Sequence, residues 1–124
     1  PLLSLPRAVT DLVGRVALHR EPQRYALLYA LIWRTLHGER RLAEVASDPL
    51  VHRLGLLDRA VRRDLHKMHA FVRFRRAEGE AERYVAWFEP DHFILEPAAP
   101  FFVEPFRPLV WSILTPVGSA HWDR

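Results

Sequence analysis

Apolar positions recur at steps of three and four along the first half of the chain and at steps of two along much of the second. Val9, Leu12, Val13, Val16 and Ala17 keep helical spacing behind Ser4-Leu5-Pro6, predicting a helix that opens near Ser4 and runs to about His19. A second helix is predicted from Gln23 to Leu36. Tyr25, Leu28, Leu31, Ile32 and Leu36 form one face, and Ala26, Leu27, Tyr29, Ala30 and Trp33 extend the apolar surface almost all round, a pattern expected of a central, buried helix. Gly38 stands where a helix C-terminus favours glycine. A short third helix is predicted over Arg40 to Ala46. It stops before Ser47-Asp48-Pro49, where Asp48 can cap the next helical segment and Pro49 can enter its first turn. Gly55 is expected to interrupt that segment, with Asp58 capping a fresh start. From Asp58 to His69, Val61, Leu65 and Met68 continue the stripe begun by Leu54 and Leu57.

The period then drops to two. In Ala70–Arg76, Phe71, Arg73 and Arg75 fall on one side of an extended segment and Val72 and Phe74 on the other. Arg83–Glu89 alternates in the same way, and residues 77–82 between the two runs contain Gly79, so a β-hairpin is expected. Pro90, Pro97, Pro100, Pro105 and Pro108 break the next segment into short pieces, leaving room for one helix around Ala98–Phe106. Leu109–Thr115 gives a third strand, and residues 117–124 are too polar for core apart from Trp122. The predicted fold class is α+β: an N-terminal group of four to five helices packed on a small three-stranded antiparallel sheet.

At 124 residues, with no internal repeat or low-complexity linker, residues 1–124 read as a single domain. Cysteine is absent, which excludes disulfides and thiolate metal sites. No apolar run approaches the roughly 20 residues of a membrane span, and no signal-peptide pattern is present, so a cytoplasmic protein with no membrane partner is expected. The chain begins at Pro1 and ends at Arg124, as a domain excised from a longer protein would. Its net charge is only +3, but Lys67 is the sole lysine among eighteen basic residues. Abundant arginine with no asparagine fits a GC-rich genome; a pI near 9.9 also favours polyanionic partners, nucleic acid foremost.

Projected at 100° per residue, Arg59, Arg62, Arg63, His66 and Lys67 share one arc of the helix, and Arg73 and Arg75 extend this basic corner past its end. Such a corner suits the phosphates of a nucleic-acid backbone, DNA in particular. The alternative is a solvated face whose arginines pair with Asp58 and Asp64. His66 and His69, three residues apart, can both reach one metal ion, with His92, His121, Glu89, Asp91 or Asp123 as third ligand. There is no H-E-x-x-H spacing, so neither metal nor cofactor is expected. His69 at a core edge, bonded to a carbonyl at the helix C-terminus, is the plainer alternative. Lys67 can be read as a Schiff-base nucleophile or as a phosphate contact, and an exposed arc favours the contact. No P-loop, dinucleotide fingerprint or nucleophile elbow occurs. Of the many aromatics in the second half most are expected in core, although aromatics beside arginine on a sheet face can stack bases; Trp122 is expected at a surface.

The stretches Tyr25–Tyr29, Val61–Phe74, Arg83–Pro90, Ala99–Phe102, Trp111–Pro116 and Ser119–Asp123 together resemble an uncharacterised bacterial domain family assigned to DNA repair or DNA metabolism. Members of that family occur beside a radical-SAM protein or fused ahead of a uracil-DNA-glycosylase-like domain. The resemblance implies a repair context and one of those proteins as partner, but carries over no catalytic residue. Three functions stand as expectations: a DNA-binding accessory domain using Arg59, Arg62, Arg63, His66, Lys67, Arg73, Arg75 and Trp122; a nucleic-acid-acting enzyme using His66, Lys67 or His69; and a module that docks a repair protein.

Overall fold

The computed structural model describes residues 4–79 and 81–123, so Glu80 of the predicted hairpin loop lies outside the described residues, as do both chain ends. The chain divides into two compact units, Pro1–Arg62 and Arg63–Arg124.

In the first unit, helix α1 spans Arg7–Val16 and α2 spans Arg24–Leu36. Pro6, not Ser4, precedes α1, and its carbonyl accepts from the Val9 and Thr10 N–H groups at 3.0 and 3.1 Å. Gly38 ends α2 as predicted: its φ of 113° is a region open to glycine, and the Glu39 N–H returns to the Arg34 carbonyl at 3.0 Å. Val9 and Val16 of α1, Leu28 and Leu31 of α2, and Leu42, Val51 and Leu54 form the core. The predicted third helix reduces to a 3₁₀ turn, Leu42–Glu44.

Helix α2 is not buried all round. Leu28, Leu31 and Thr35 face the core, whereas Tyr25, Tyr29 and Trp33, four residues apart, are 61%, 70% and 50% exposed. Composition overstated burial because aromatic residues raise the apolar count at positions that no element of this small unit covers.

Helix α3 runs unbroken over Pro49–Phe71. Asp48 caps it as expected, its Oδ1 accepting from the Leu50 and Val51 N–H groups at 2.9 and 3.3 Å. Gly55 does not interrupt it, since one glycine costs only about 1 kcal/mol against alanine, and the helix is anchored on either side of the glycine by buried Leu54 before it and buried Val61 after it. Asp58 is therefore mid-helix and caps nothing. The helix also overruns the predicted first strand: the Val72 N–H still bonds the Met68 carbonyl at 3.1 Å.

The second unit carries a four-stranded mixed sheet in the order β1 (Arg75–Arg76), β2 (Tyr84–Trp87), β3 (Val110–Thr115), β4 (Gly118–Asp123). The β1–β2 hairpin is antiparallel as predicted. Strands β2 and β3 are parallel, which corrects the all-antiparallel expectation. The segment between them, carrying helix α4 (Leu95–Ala98) and a 3₁₀ turn (Ala99–Phe102), is a crossover long enough to bring the chain back in the same direction. The polar tail becomes β4, antiparallel to β3. It is a strand at the sheet's edge and needs few apolar residues.

The register divides the sheet into two faces. Ala86, Trp111, Ile113 and Thr115 are buried, and Phe74 joins Phe102, Phe106 and Trp111 in one aromatic cluster with ring centroids 4.9 to 6.5 Å apart. On the opposite face Arg75, Val85, Ser112 and His121 stand in register across all four strands, with Trp87, Leu114 and Ser119 in the next row. That face is largely open.

Candidate nucleic-acid interface

In the last turns of α3, Arg63, His66 and Lys67 are exposed while Asp64 and Met68 are buried on the reverse side. Asp64, 3% exposed, accepts from the N–H groups of Asp91 and His92 at 3.1 and 2.8 Å. Its carboxylate is thus committed to a loop and not to a neighbouring cation. Among the described residues Arg63 and Lys67 have no acidic partner within ion-pair distance. Arg59 and Arg62 are also exposed but belong to the first unit. There Arg62 lies 3.7 Å from Asp58, whose carboxylate is bonded by Arg15 as well. The pairing alternative therefore holds for Asp58 and fails for Asp64.

Past the helix, Arg73 donates to the Ala70 and Val72 carbonyls at 2.7 and 3.0 Å, satisfying acceptors at the end of α3 and fixing the guanidinium's position. Arg75 opens β1, exposed and opposite Val85. Phe71, Arg73, Arg75, Val85 and Trp87 together line an open hollow of about 410 Å³. Phe71 and Trp87 are 65% and 58% exposed, and the Trp87 indole N–H donates to Glu89 Oε1 at 3.1 Å.

The other sequence candidates do not join this group. His69 is half-buried and stacked on Phe101, ring centroids 4.0 Å apart and planes 17° from parallel, with Phe102 edge-on at 6.1 Å. Burial, then the charge of His66, pushes its pKa below the usual histidine value. Its Nε2 is buried without a hydrogen-bond partner among the described residues, so the expected carbonyl bond is not made there. Exposed His66 and half-buried His69 thus point to different surroundings, and no three His, Asp or Glu side chains among the described residues gather as metal ligands. Trp122 lies on the face of the sheet opposite Trp87, half-buried, its indole N–H on the Arg107 carbonyl at 3.1 Å.

Sequence reading missed that Phe71 and Trp87 line one hollow, and it missed a hydrogen-bonded chain on the open face. Ser112 Oγ and His121 Nδ1 are 2.7 Å apart, and Ser119 Oγ and His121 Nε2 3.0 Å. A neutral imidazole there donates to one hydroxyl and accepts from the other. The available signal was the two-residue spacing of Ser119 and His121, legible only once the tail is taken as a strand. Between α4 and β4 a cavity of about 660 Å³ is lined by Leu95, Glu96, Ala99, Ser119 and His121, and by none of the three catalytic candidates.

A family described as a domain of unknown function, DUF4130, matches residues 22–121. The chain belongs to this family. The DUF4130 match takes in α2, α3, β1 to β3 and most of β4, and with them every residue of the hollow. No curated protein and no solved structure matches the chain.

Proposed function

We propose that this domain is a nucleic-acid-binding accessory module of a DNA repair system, holding phosphates through the basic corner at the end of α3 while a partner performs the chemistry. The observation that carries it is the set Arg63, Lys67 and Arg75, exposed cations without a carboxylate among the described residues, next to an Arg73 held in place by carbonyls. Arginine forks suit phosphate oxygens and lysine supplies a mobile charge. The repair context rests on the family resemblance of the six sequence stretches. A mobility-shift titration with single-stranded, duplex and uracil-containing DNA over a salt series tests it. Binding that weakens steeply with salt is expected; the absence of any shift at low salt removes the proposal.

Enzymatic use of His66, Lys67 and His69 has less support, because two of these side chains are solvent-exposed and the third is stacked among phenylalanines. The protein-docking reading has one specific observation in its favour, the exposed stripe Tyr25, Tyr29 and Trp33 on α2. A radical-SAM or uracil-DNA-glycosylase-like partner that uses this stripe should be released by Tyr29→Glu, with circular dichroism unchanged. Unaltered co-purification of that variant with its partner would remove this second reading.

A further inference from the structure

Two large aromatic side chains stand in water beside two arginines, in a unit that has an aromatic core available. Phe74, Phe102, Phe106 and Trp111 fill that core; Phe71 and Trp87 do not enter it, and both are more than half exposed. Trp87 is also held in position. It belongs to an interior strand of the sheet, and its indole N–H donates to Glu89 Oε1, leaving the ring to present a π surface. Val85, Arg73 and Arg75 line the hollow together with the two aromatic residues. About 410 Å³ lies within the range of sites for small planar ligands, roughly 300–1,000 Å³.

We infer that the hollow between Phe71 and Trp87 receives an unpaired base of single-stranded nucleic acid, whose flanking phosphates lie against Arg73 and Arg75. The inference rests on the phosphate-binding reading and names the form of nucleic acid that reading leaves open. A base within a duplex has both faces stacked on neighbours and offers none to a tryptophan; an unpaired base offers both. Charge alone is served by any polyanion, but a concave aromatic site with cations at its rim is complementary to a base joined to phosphate. Beyond the hollow, the same open face continues through Leu114 to the hydroxyls and imidazole of Ser112, Ser119 and His121, hydrogen-bonding groups for the next sugar or phosphate.

The test uses the full chain with a fluorescein-labelled mixed-sequence DNA oligomer, its RNA counterpart and the matching DNA duplex, read by anisotropy and by tryptophan emission. Single strands should bind more tightly than duplex. Trp87→Ala should weaken single-strand binding by on the order of ten- to a hundred-fold, the loss typical of one stacking partner, and leave duplex binding within two-fold. Trp87→Phe keeps an aromatic face, so it should retain most affinity while losing the emission change; it guards against a folding defect in the alanine variant. A preference for DNA or for RNA identifies the source of the strand and supports the inference equally. Equal affinity for strand and duplex with Trp87→Ala silent overturns it and leaves the phosphate reading standing. Polyglutamate competing as well as oligonucleotide also overturns it, and binding to no oligomer removes both.

Discussion

Arginine is used differently in the two units. In the first, Arg34 forks onto Glu39 at 2.7 and 2.8 Å and onto Asp48 at 2.7 and 3.2 Å, while Arg15 meets Asp58, Arg41 meets Glu44, Arg53 meets Glu21 and Arg7 meets Asp11. In the second, Arg107 meets Glu104, but Arg63, Lys67 and Arg75 meet no acid among the described residues. The contrast shows why a net charge of +3 says little: what matters is which cations already have a carboxylate.

The contrast breaks most severely at Asp64, the acid that serves a loop in place of its cationic neighbours. Asp64→Ala strands two backbone donors, those of Asp91 and His92. A loss of about 2–3 kcal/mol is expected, seen as a melting temperature lower by on the order of 10 °C. Arg63→Gln and Lys67→Gln, by contrast, should stay within about 0.5 kcal/mol of wild type. Thermal melts of the three variants side by side check this; equal losses would show that the free cations are structural after all.

Acid titration separates the units in a second way. The Arg34 hydrogen bonds hold the carboxyls of Glu39 and Asp48 below their usual values. Because their folded pKa values are depressed, the stability they contribute is present above the unfolded values, near 4, and is lost as pH falls below them. Arg34→Gln should flatten the fall in melting temperature between pH 5 and pH 3. In the second unit the group to watch is His69, whose pKa is lowered by burial among Phe101 and Phe102. The unfolded chain takes up that proton first as pH drops, so stability is full above about 6.5 and falls below it. His69→Phe should remove a modest loss of melting temperature between pH 7.5 and pH 5; an unchanged pH profile would refute it.

The smallest expected effect is at Lys67. Lys67→Arg should retain DNA binding and Lys67→Ala should lose part of it, with both variants folded. A borohydride-trapped adduct with abasic-site DNA, present in wild type and missing in Lys67→Arg, would make Lys67 a nucleophile instead.

Periodicity made the long elements legible: α2 and β3 lie close to where the spacing of Leu28, Leu31, Trp111 and Ile113 puts them, and α3 follows the stripe through Val61 and Met68 without the break expected at Gly55. The Asp48 cap and the Gly38 terminus were readable from local chemistry alone. The start of the predicted first strand, Ala70 to Val72, was misread because its alternation spans too few residues to outweigh a helix already propagating from Pro49. Strand β4 escaped notice because an edge strand with one open face needs only Ala120 and Trp122 turned inward. At the site, Arg63, Lys67, Arg73 and Arg75 were visible as a basic pattern. That Asp64 would be withdrawn from them, and that Phe71 and Trp87 would line one hollow, depends on the placement of residues distant in sequence, which spacing does not encode.

The central claim is that unpaired cations bind nucleic acid and paired ones do not, and two charge-matched triple variants decide it. Arg63→Gln/Lys67→Gln/Arg75→Gln and Arg7→Gln/Arg41→Gln/Arg53→Gln each remove three positive charges. Their affinities for a single-stranded oligomer would be measured by anisotropy across a salt series. The first triple should lower the slope of log K against log salt by about 2, as three lost phosphate contacts require, while the second leaves it unchanged. Equal losses in both would mean that net charge governs binding and that the corner at the end of α3 has no special part in it.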